Sequence, residues 1–241
     1  MNIKAVAMTL AAVGMLGGPA LAYDGGPVTD GGTISGTVKF QGTPPARKEL
    51  EVTKDKEVCG KTPKMSRDLV VSPSGGIQYA VVSITNIQKG KADSGATVVL
   101  DQNGCEYQPH ITLVPVGKPF DIKNSDGINH NIHAFGKANT EWNKATPGFF
   151  TKQNKSLQVT FDKPEYVRVG CDVHSWMTGW FVVKDNPYYE VTDENGNYKM
   201  TDVPPGDYEV KVWHEKLGEK TMKVTVPAKG DAKADFELAA K

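Results

Sequence analysis

Cys171-Asp-Val-His174-Ser-Trp-Met177 is the stretch that decides the fold of this 241-residue chain, because it places a thiol, an imidazole and a thioether close together. A second stretch lies upstream, runs Asn-Ser-Asp-Gly-Ile-Asn-His130-Asn-Ile-His133 and adds a further imidazole. Thiolate and thioether sulfur favour Cu(I), whereas imidazole accepts copper in either oxidation state. The two stretches therefore predict a copper site that exchanges one electron with little rearrangement of its ligands.

Strand patterns lie on both sides of the first stretch. Glu165-Tyr-Val-Arg-Val-Gly170 alternates apolar valines with other residues, which is typical of a half-buried strand. Trp180-Phe-Val-Val-Lys184 predicts the return strand. Cys171 would therefore end one strand, and the tight turn after it would carry the downstream histidine and methionine.

Residues 107–184, roughly a third of the chain, resemble the cupredoxins of the amicyanin and plastocyanin type in the Cys-x-x-His-x-x-Met spacing and in the upstream His-Asn run. The resemblance implies a Greek-key β-sandwich over residues 99–186 that holds one mononuclear type 1 copper ion. It also implies that Asn131 hydrogen-bonds across the site and holds the cysteine loop in place. The implied ligands are His130, Cys171 and His174 in the equatorial plane and Met177 in the axial position.

Three other histidines have alternative roles. His133 lies close to His130 in the sequence and is a rival ligand. His110 begins another strand, and we expect a buried histidine with satisfied hydrogen bonds rather than an extra ligand. His214 is expected to be structural.

The N-terminus predicts export. Lys4, the apolar run over residues 5–16 and Ala20-Leu21-Ala22 are typical of a Sec signal peptide over residues 1–22, which places the mature chain in the periplasm. The apolar run is too short for a permanent membrane anchor, and no later segment is apolar enough to form one. Removal of the signal leaves 27 basic against 28 acidic residues, a balance that gives no basic footprint for nucleic acid and no polybasic membrane patch.

The 3 cysteines restrict the disulfide pattern. In an oxidising compartment two should pair and one should be left over. Because the copper site claims Cys171, the expected disulfide joins Cys59 to Cys105. The alternative, in which Cys171 is paired and another thiol is free, would abolish the site.

The ends of the chain carry a second set of strand and turn patterns. Two hairpin signals lie near the C-terminus: Thr-Asp-Glu-Asn-Gly196-Asn-Tyr and Val203-Pro-Pro-Gly206-Asp-Tyr. Far upstream, Ser35-Gly-Thr-Val lies in a further strand pattern of the same set. The set resembles the carboxypeptidase-regulatory-like, transthyretin-like β-sandwich. The resemblance implies that residues 32–98 and 187–241 form one split sandwich into which the cupredoxin domain is inserted. Two consecutive domains, with an irregular N-terminal extension, remain the alternative.

The sequence around the site also predicts its surroundings. Residues 139–154 have no periodicity, and we expect a loop near the metal. In cupredoxins the edge of the C-terminal ligand histidine, here His174, is exposed within an apolar docking patch. Trp176, Phe149 and Phe150 are the candidates for this patch, with ordinary core packing as the alternative.

The predicted function is that of a periplasmic blue-copper electron carrier and not of an enzyme. The chain has no Cys-x-x-Cys-His haem motif and no Ser-x-x-Lys or Gly-x-Ser-x-Gly nucleophile motif, and four protein ligands leave little room for a substrate. By resemblance, the partner would be a c-type cytochrome or a periplasmic dehydrogenase. Copper storage or delivery, and a non-redox binding module with a degenerate metal site, are the alternatives.

Overall fold

The computed structural model describes residues 23–240, and this part of the chain is nearly all β. The predicted signal peptide, residues 1–22, lies outside the described residues. The strands begin with β1 (Asp24–Gly25), β2 (Gly32–Phe40), β3 (Glu49–Leu50), β4 (Lys64–Met65), β5 (Val70–Val71), β6 (Ile77–Gln78), β7 (Val81–Ile84), β8 (Lys89–Gly90), β9 (Val99–Gln102), β10 (Tyr107–Gln108), β11 (Ile111–Pro115) and β12 (Phe120–Asn124). They continue with β13 (His130–Phe135), β14 (Trp142–Thr146), β15 (Leu157–Val159), β16 (Glu165–Gly170), β17 (Thr178–Lys184), β18 (Tyr189–Val191), β19 (Asn197–Val203), β20 (Gly206–His214), β21 (Gly218–Val226), β22 (Asp231–Lys233) and β23 (Phe236–Leu238). The helices are α1 (Lys56–Cys59) and α2 (Phe149–Gln153).

The middle of the chain forms one pair of sheets. Their strand orders are β10-β9-β12-β15 and β11-β17-β16-β13-β14. Alternate side chains of both sheets point to the space between them, as the period of a strand requires, and form one apolar cluster. Its fully buried members include Leu100, Phe120, Ile122, Ile132, Val167 and Phe181. The alternation predicted over residues 165–170 is thus present in β16, where Val167 and Val169 face inward.

The two ends of the chain meet in a second pair of sheets. Their orders are β18-β7-β20-β21 and β19-β2-β22, with β23 also pairing with β2. The N-terminal strand β2 runs parallel to both C-terminal strands, with Thr33 opposite Asp231 and Val38 opposite Phe236. The buried cluster between these sheets includes Ile34, Ile77, Val82, Met200, Val210 and Phe236.

The outer faces of the two sheet pairs pack on each other. Val81 of β7, Ile111 of β11 and Val182 of β17 form a third buried cluster, and Trp180 and Trp213 pack against it with ring centroids 5.0 Å apart. Burial of such side chains stabilises by roughly 1.5–3 kcal/mol each. The middle sheet pair is thereby attached to the sheet pair built from the chain ends.

One segment of the N-terminal region lies against the middle sheet pair instead. Leu50, Val52 and Val58 pack on its apolar cluster, and Cys59 at the end of α1 is fully buried there. Cys59 forms the predicted disulfide with Cys105, with an S–S distance of 2.04 Å. The expected pairing of these cysteines is confirmed, and Cys171 is left unpaired.

The expectation of a loop over residues 139–154 is wrong. The segment contains β14, which pairs antiparallel with β13 so that Thr146 lies opposite His130, and it also contains α2. β14 is an edge strand whose middle residues are exposed, so it lacks the apolar alternation that marks a half-buried strand. Within residues 23–240 no helix has the length and apolar character needed to cross a bilayer.

Candidate metal centre

The predicted site residues come from the ends of two neighbouring strands. His130 is the first residue of β13, Cys171 directly follows β16, and β13 pairs with β16. His174 and Met177 lie in the loop between β16 and β17. Two backbone hydrogen bonds close this loop: the Met177 N–H donates to His174 O at 2.9 Å, and the Cys171 N–H donates to Met177 O at 3.2 Å. The tight turn inferred from the spacing is therefore present.

Three of the four predicted ligands come together in a buried cluster. The Nδ1 atoms of His130 and His174 are 2.8 Å apart, and Cys171 Sγ lies 3.9 Å from His174 Nδ1. One donor atom from each residue lies within 4.8 Å of the others. Met177 is 1% exposed and belongs to the same apolar cluster as the cysteine. Two imidazole nitrogens and a sulfur in one buried cluster fit the donor preferences of a copper ion.

Asn131 makes the hydrogen bond across the site that the resemblance implied. Its Oδ1 accepts the backbone N–H of Asp172 at 2.8 Å and lies 3.2 Å from Cys171 Sγ. Its Nδ2 donates to Asp172 Oδ2 at 3.1 Å and to Asn143 Oδ1 at 2.8 Å. Asn131 thereby fixes the start of the cysteine loop against β13 and β14.

The electrostatics of the cluster favour a thiolate. Burial disfavours the ionised Cys171 side chain, but hydrogen bonds from His130 and from neighbouring backbone N–H groups outweigh burial and lower the pKa of the thiol. Burial also lowers the pKa of His130, yet its bonds to Asp126 and Cys171 outweigh burial and raise this pKa. The pKa of His174 is lowered, because burial and the neighbouring His130 outweigh the opposing effect of Asp55.

Both imidazoles are held from the outside by a carboxylate. His130 Nε2 lies 2.9 Å from Asp126 Oδ2, and His174 Nε2 lies 2.7 Å from Asp55 Oδ2. Sequence reasoning missed both aspartates. Asp126 is four residues before His130 in a turn-like Ser-Asp-Gly run, which is a weak local signal, whereas Asp55 is 119 residues from its partner and has none.

The expected apolar patch around an exposed edge of His174 is wrong. The side chain of His174 is 0% exposed, because Asp55 and the segment that begins α1 cover its Nε2 edge. Trp176 is only 8% exposed, and its Nε1–H donates to the Cys105 carbonyl at 3.1 Å. Phe149 on α2 is 49% exposed and Phe150 is half-buried, whereas Trp176 and His174 are buried.

The rival histidines lie away from this cluster. His133 contacts Asp172 and Glu141 at 3.2 and 2.8 Å, and these carboxylates raise the pKa of His133, with the Glu141 hydrogen bond as the largest effect. His110 is buried and bonds through Nε2 to Glu215 at 2.6 Å, while its Nδ1 has no hydrogen-bond partner among the described residues.

The C-terminal part of the chain is similar to a known domain family. Residues 182–239 match the family model described as carboxypeptidase regulatory-like domain. The sequence matches no curated protein. The family match covers β18 to β23, the C-terminal strands of the sheet pair that also contains β2.

Several solved structures are similar to part of this chain. Similar ones include a Cu-containing nitrite reductase from Thermus scotoductus SA-01, with 20% identity, a TM-score of 0.33 and coverage of 40% of this chain and 24% of that chain. A purple cupredoxin from Nitrosopumilus maritimus has 19% identity, a TM-score of 0.29 and coverage of 37% and 99%. A reduced amicyanin variant has 19% identity, a TM-score of 0.32 and coverage of 43% and 98%. The chain is thus similar to carboxypeptidase regulatory-like domains over its C-terminal part, and among solved structures it is similar to a cupredoxin and an amicyanin.

Proposed function

We propose that this chain is a periplasmic electron-transfer protein that holds one mononuclear type 1 copper ion. The observation that carries the proposal is the buried convergence of His130, Cys171 and His174, whose donor atoms lie within 4.8 Å of one another. Met177 is proposed as the axial ligand. It is buried next to the same cluster and is fixed by backbone bonds to the other loop residues.

The protein side of the site suits a one-electron couple. When bound, copper would supply the Cu(II)/Cu(I) pair, and a plane of two nitrogens and a thiolate changes little between the two states. The chain contributes rigidity: His130 starts the paired strand β13, Cys171 directly follows the neighbouring strand β16, and Asn131 fastens the start of the cysteine loop. The lowered pKa of the Cys171 thiol keeps the sulfur ready to ligate.

We further infer that the domain boundaries follow the sheets, with residues 99–186 as the copper-binding sandwich and residues 32–98 with 187–241 as the carboxypeptidase-regulatory-like sandwich. This division is supported by the separate apolar clusters of the two sheet pairs. The segment that carries Cys59 crosses from one sandwich to the other. The proposed partner is a redox protein, either a c-type cytochrome or a periplasmic dehydrogenase, and neither nucleic acid binding nor a membrane anchor is part of the proposal.

The test is copper reconstitution of the mature protein. Addition of Cu(II) should give one intense thiolate-to-copper charge-transfer band at one copper per chain, because Cys171 is the cysteine left outside the disulfide. Cys171→Ser should abolish the band and keep the far-ultraviolet circular dichroism of the wild type.

The outcomes separate the candidate functions. A colourless copper adduct of the wild-type protein would contradict the electron-transfer proposal and support storage or delivery. Failure to bind copper would support a non-redox module. A coloured Cys171→Ser variant would mean that the ligand assignment is wrong.

A further inference from the structure

Each imidazole of the cluster contacts a carboxylate through its Nε2 atom. Asp126 Oδ2 accepts from His130 Nε2 at 2.9 Å, and Asp55 Oδ2 accepts from His174 Nε2 at 2.7 Å. A neutral ring that donates from Nε2 to a carboxylate has its lone pair on Nδ1, so each bond would present an Nδ1 lone pair to a bound copper ion. The two Nδ1 atoms lie at the centre of the cluster, 2.8 Å apart.

Asp126 is held in place by the backbone on its other side. The N–H groups of Gly104 and Cys105 donate to its two oxygens at 2.6 and 2.8 Å. A carboxyl group that accepts on both oxygens acts as a carboxylate. Its side chain is 6% exposed, so its charge is poorly screened at the site.

Asp55 is held by its own backbone. Its carbonyl oxygen accepts the N–H groups of Val58 and Cys59 in α1, and the disulfide anchors the end of this helix to Cys105. Its φ of 47° lies in the left-handed region, which few residues other than glycine and asparagine or aspartate adopt readily. The backbone therefore maintains an uncommon conformation that places this carboxylate over His174.

We propose that Asp55 and Asp126 are positioning residues that turn both Nδ1 atoms inward and, through their negative charge, lower the reduction potential of the site. This inference rests on the proposed function. A carboxylate behind each imidazole favours the ion of higher charge, and so the oxidised state over the reduced one. The same Asp55 contact covers the His174 edge, so electrons would not leave through an exposed imidazole.

Asp55→Asn is the decisive variant. Asparagine keeps an oxygen that accepts from His174 Nε2 but removes the charge, and no hydrogen bond of the Asp55 side chain other than that to His174 is observed among the described residues. The side chain is 43% exposed, so the substitution should not prevent folding. We expect the charge-transfer band to remain and the preference for Cu(II) over Cu(I) to fall at least tenfold. In a one-electron couple this is an upward shift of about 59 mV.

Two further variants complete the experiment. Asp55→Gly removes both the charge and the acceptor at a φ that glycine adopts without strain, and we expect faster loss of copper to a chelator in addition to the raised potential. Asp30→Asn removes an exposed carboxylate that pairs with Lys229 near the C-terminal strands, and it serves as the charge-matched control. We expect the control to keep the wild-type potential and copper retention.

The result that overturns the inference is specific. A wild-type protein with the charge-transfer band, together with an Asp55→Asn potential equal to that of the Asp30→Asn control, would refute the role of Asp55 and leave the proposed function standing. Absence of the band from the wild-type protein would overturn the proposed function and this inference together. Circular dichroism of each variant before copper addition identifies any loss of fold.

Discussion

Loss of the disulfide between Cys59 and Cys105 should destabilise the protein by an amount that follows from its loop. The two cysteines are 46 residues apart, and the chain-entropy relation gives about 4 kcal/mol at 25 °C for a loop of this size. Both cysteines are fully buried, so replacing both with alanine also removes buried sulfur atoms and adds a cavity term to this loss. We therefore expect the Cys59→Ala, Cys105→Ala double variant to lose at least about 4 kcal/mol of its free energy of unfolding.

The assay is urea unfolding of the copper-free protein, followed by tryptophan fluorescence and by circular dichroism. The urea concentration at the midpoint of unfolding should fall, while the surface exposed by the native protein should not increase. The reason is that removal of the bond acts mainly by raising the entropy of the unfolded chain. Urea unfolding of the wild-type protein with and without a reductant provides a second measurement without substitution. A loss below about 1 kcal/mol in both would refute the loop-closure argument, since it would mean that the unfolded chain is not released when the bond is removed.

The remaining predictions concern the proposed axial ligand and a buried histidine. Met177→Leu should keep the copper and its colour but raise the potential, because loss of the thioether donor destabilises Cu(II) more than Cu(I); an unchanged potential in voltammetry would mean that Met177 does not approach the metal. Burial lowers the pKa of His214 to about 4, so its contribution to stability is fully present above pH 6.5 and is lost as the pH falls towards 4. The difference in free energy of unfolding between wild type and His214→Phe, measured in urea, should therefore change by about 3 kcal/mol between pH 6.5 and pH 4. A pH-independent difference would mean that folding does not lower the pKa of His214.

The local parts of the site could be predicted from the sequence. The ligand spacing in the cysteine loop and the alternation of β16 are short-range patterns, and a strand that must bury one face has little freedom to depart from them. The disulfide between Cys59 and Cys105 could also be predicted, because assigning Cys171 to the copper site left only these two cysteines to pair. These features depend on neighbours in the sequence or on simple exclusion.

The contacts that cross the chain could not be predicted. Asp55 carries no sequence signal for His174, because the contact exists only once α1 is anchored beside the cysteine loop. Trp176 illustrates the same limit. A tryptophan two residues after a proposed ligand histidine suits an exposed docking patch or a buried position equally well. Here the indole N–H donates to the Cys105 carbonyl, and the ring is buried. In β14 the pattern failed because an exposed edge strand need not alternate.

The pairing of β2 with β22 and β23 has a consequence for folding during synthesis. Thr37 donates its backbone N–H to Asp235, which lies 198 residues further along the chain. β2 therefore cannot pair with these strands until the C-terminal residues have been synthesised. Contacts of such separation carry a high closure entropy and form slowly. The strands of the middle sheets end with β17, and because synthesis proceeds from the N-terminus these sheets can close while both edges of β2 are still unpaired. A newly made chain would thus hold closed middle sheets while β2 and β7 still present unpaired edges, which are open to pairing with another chain.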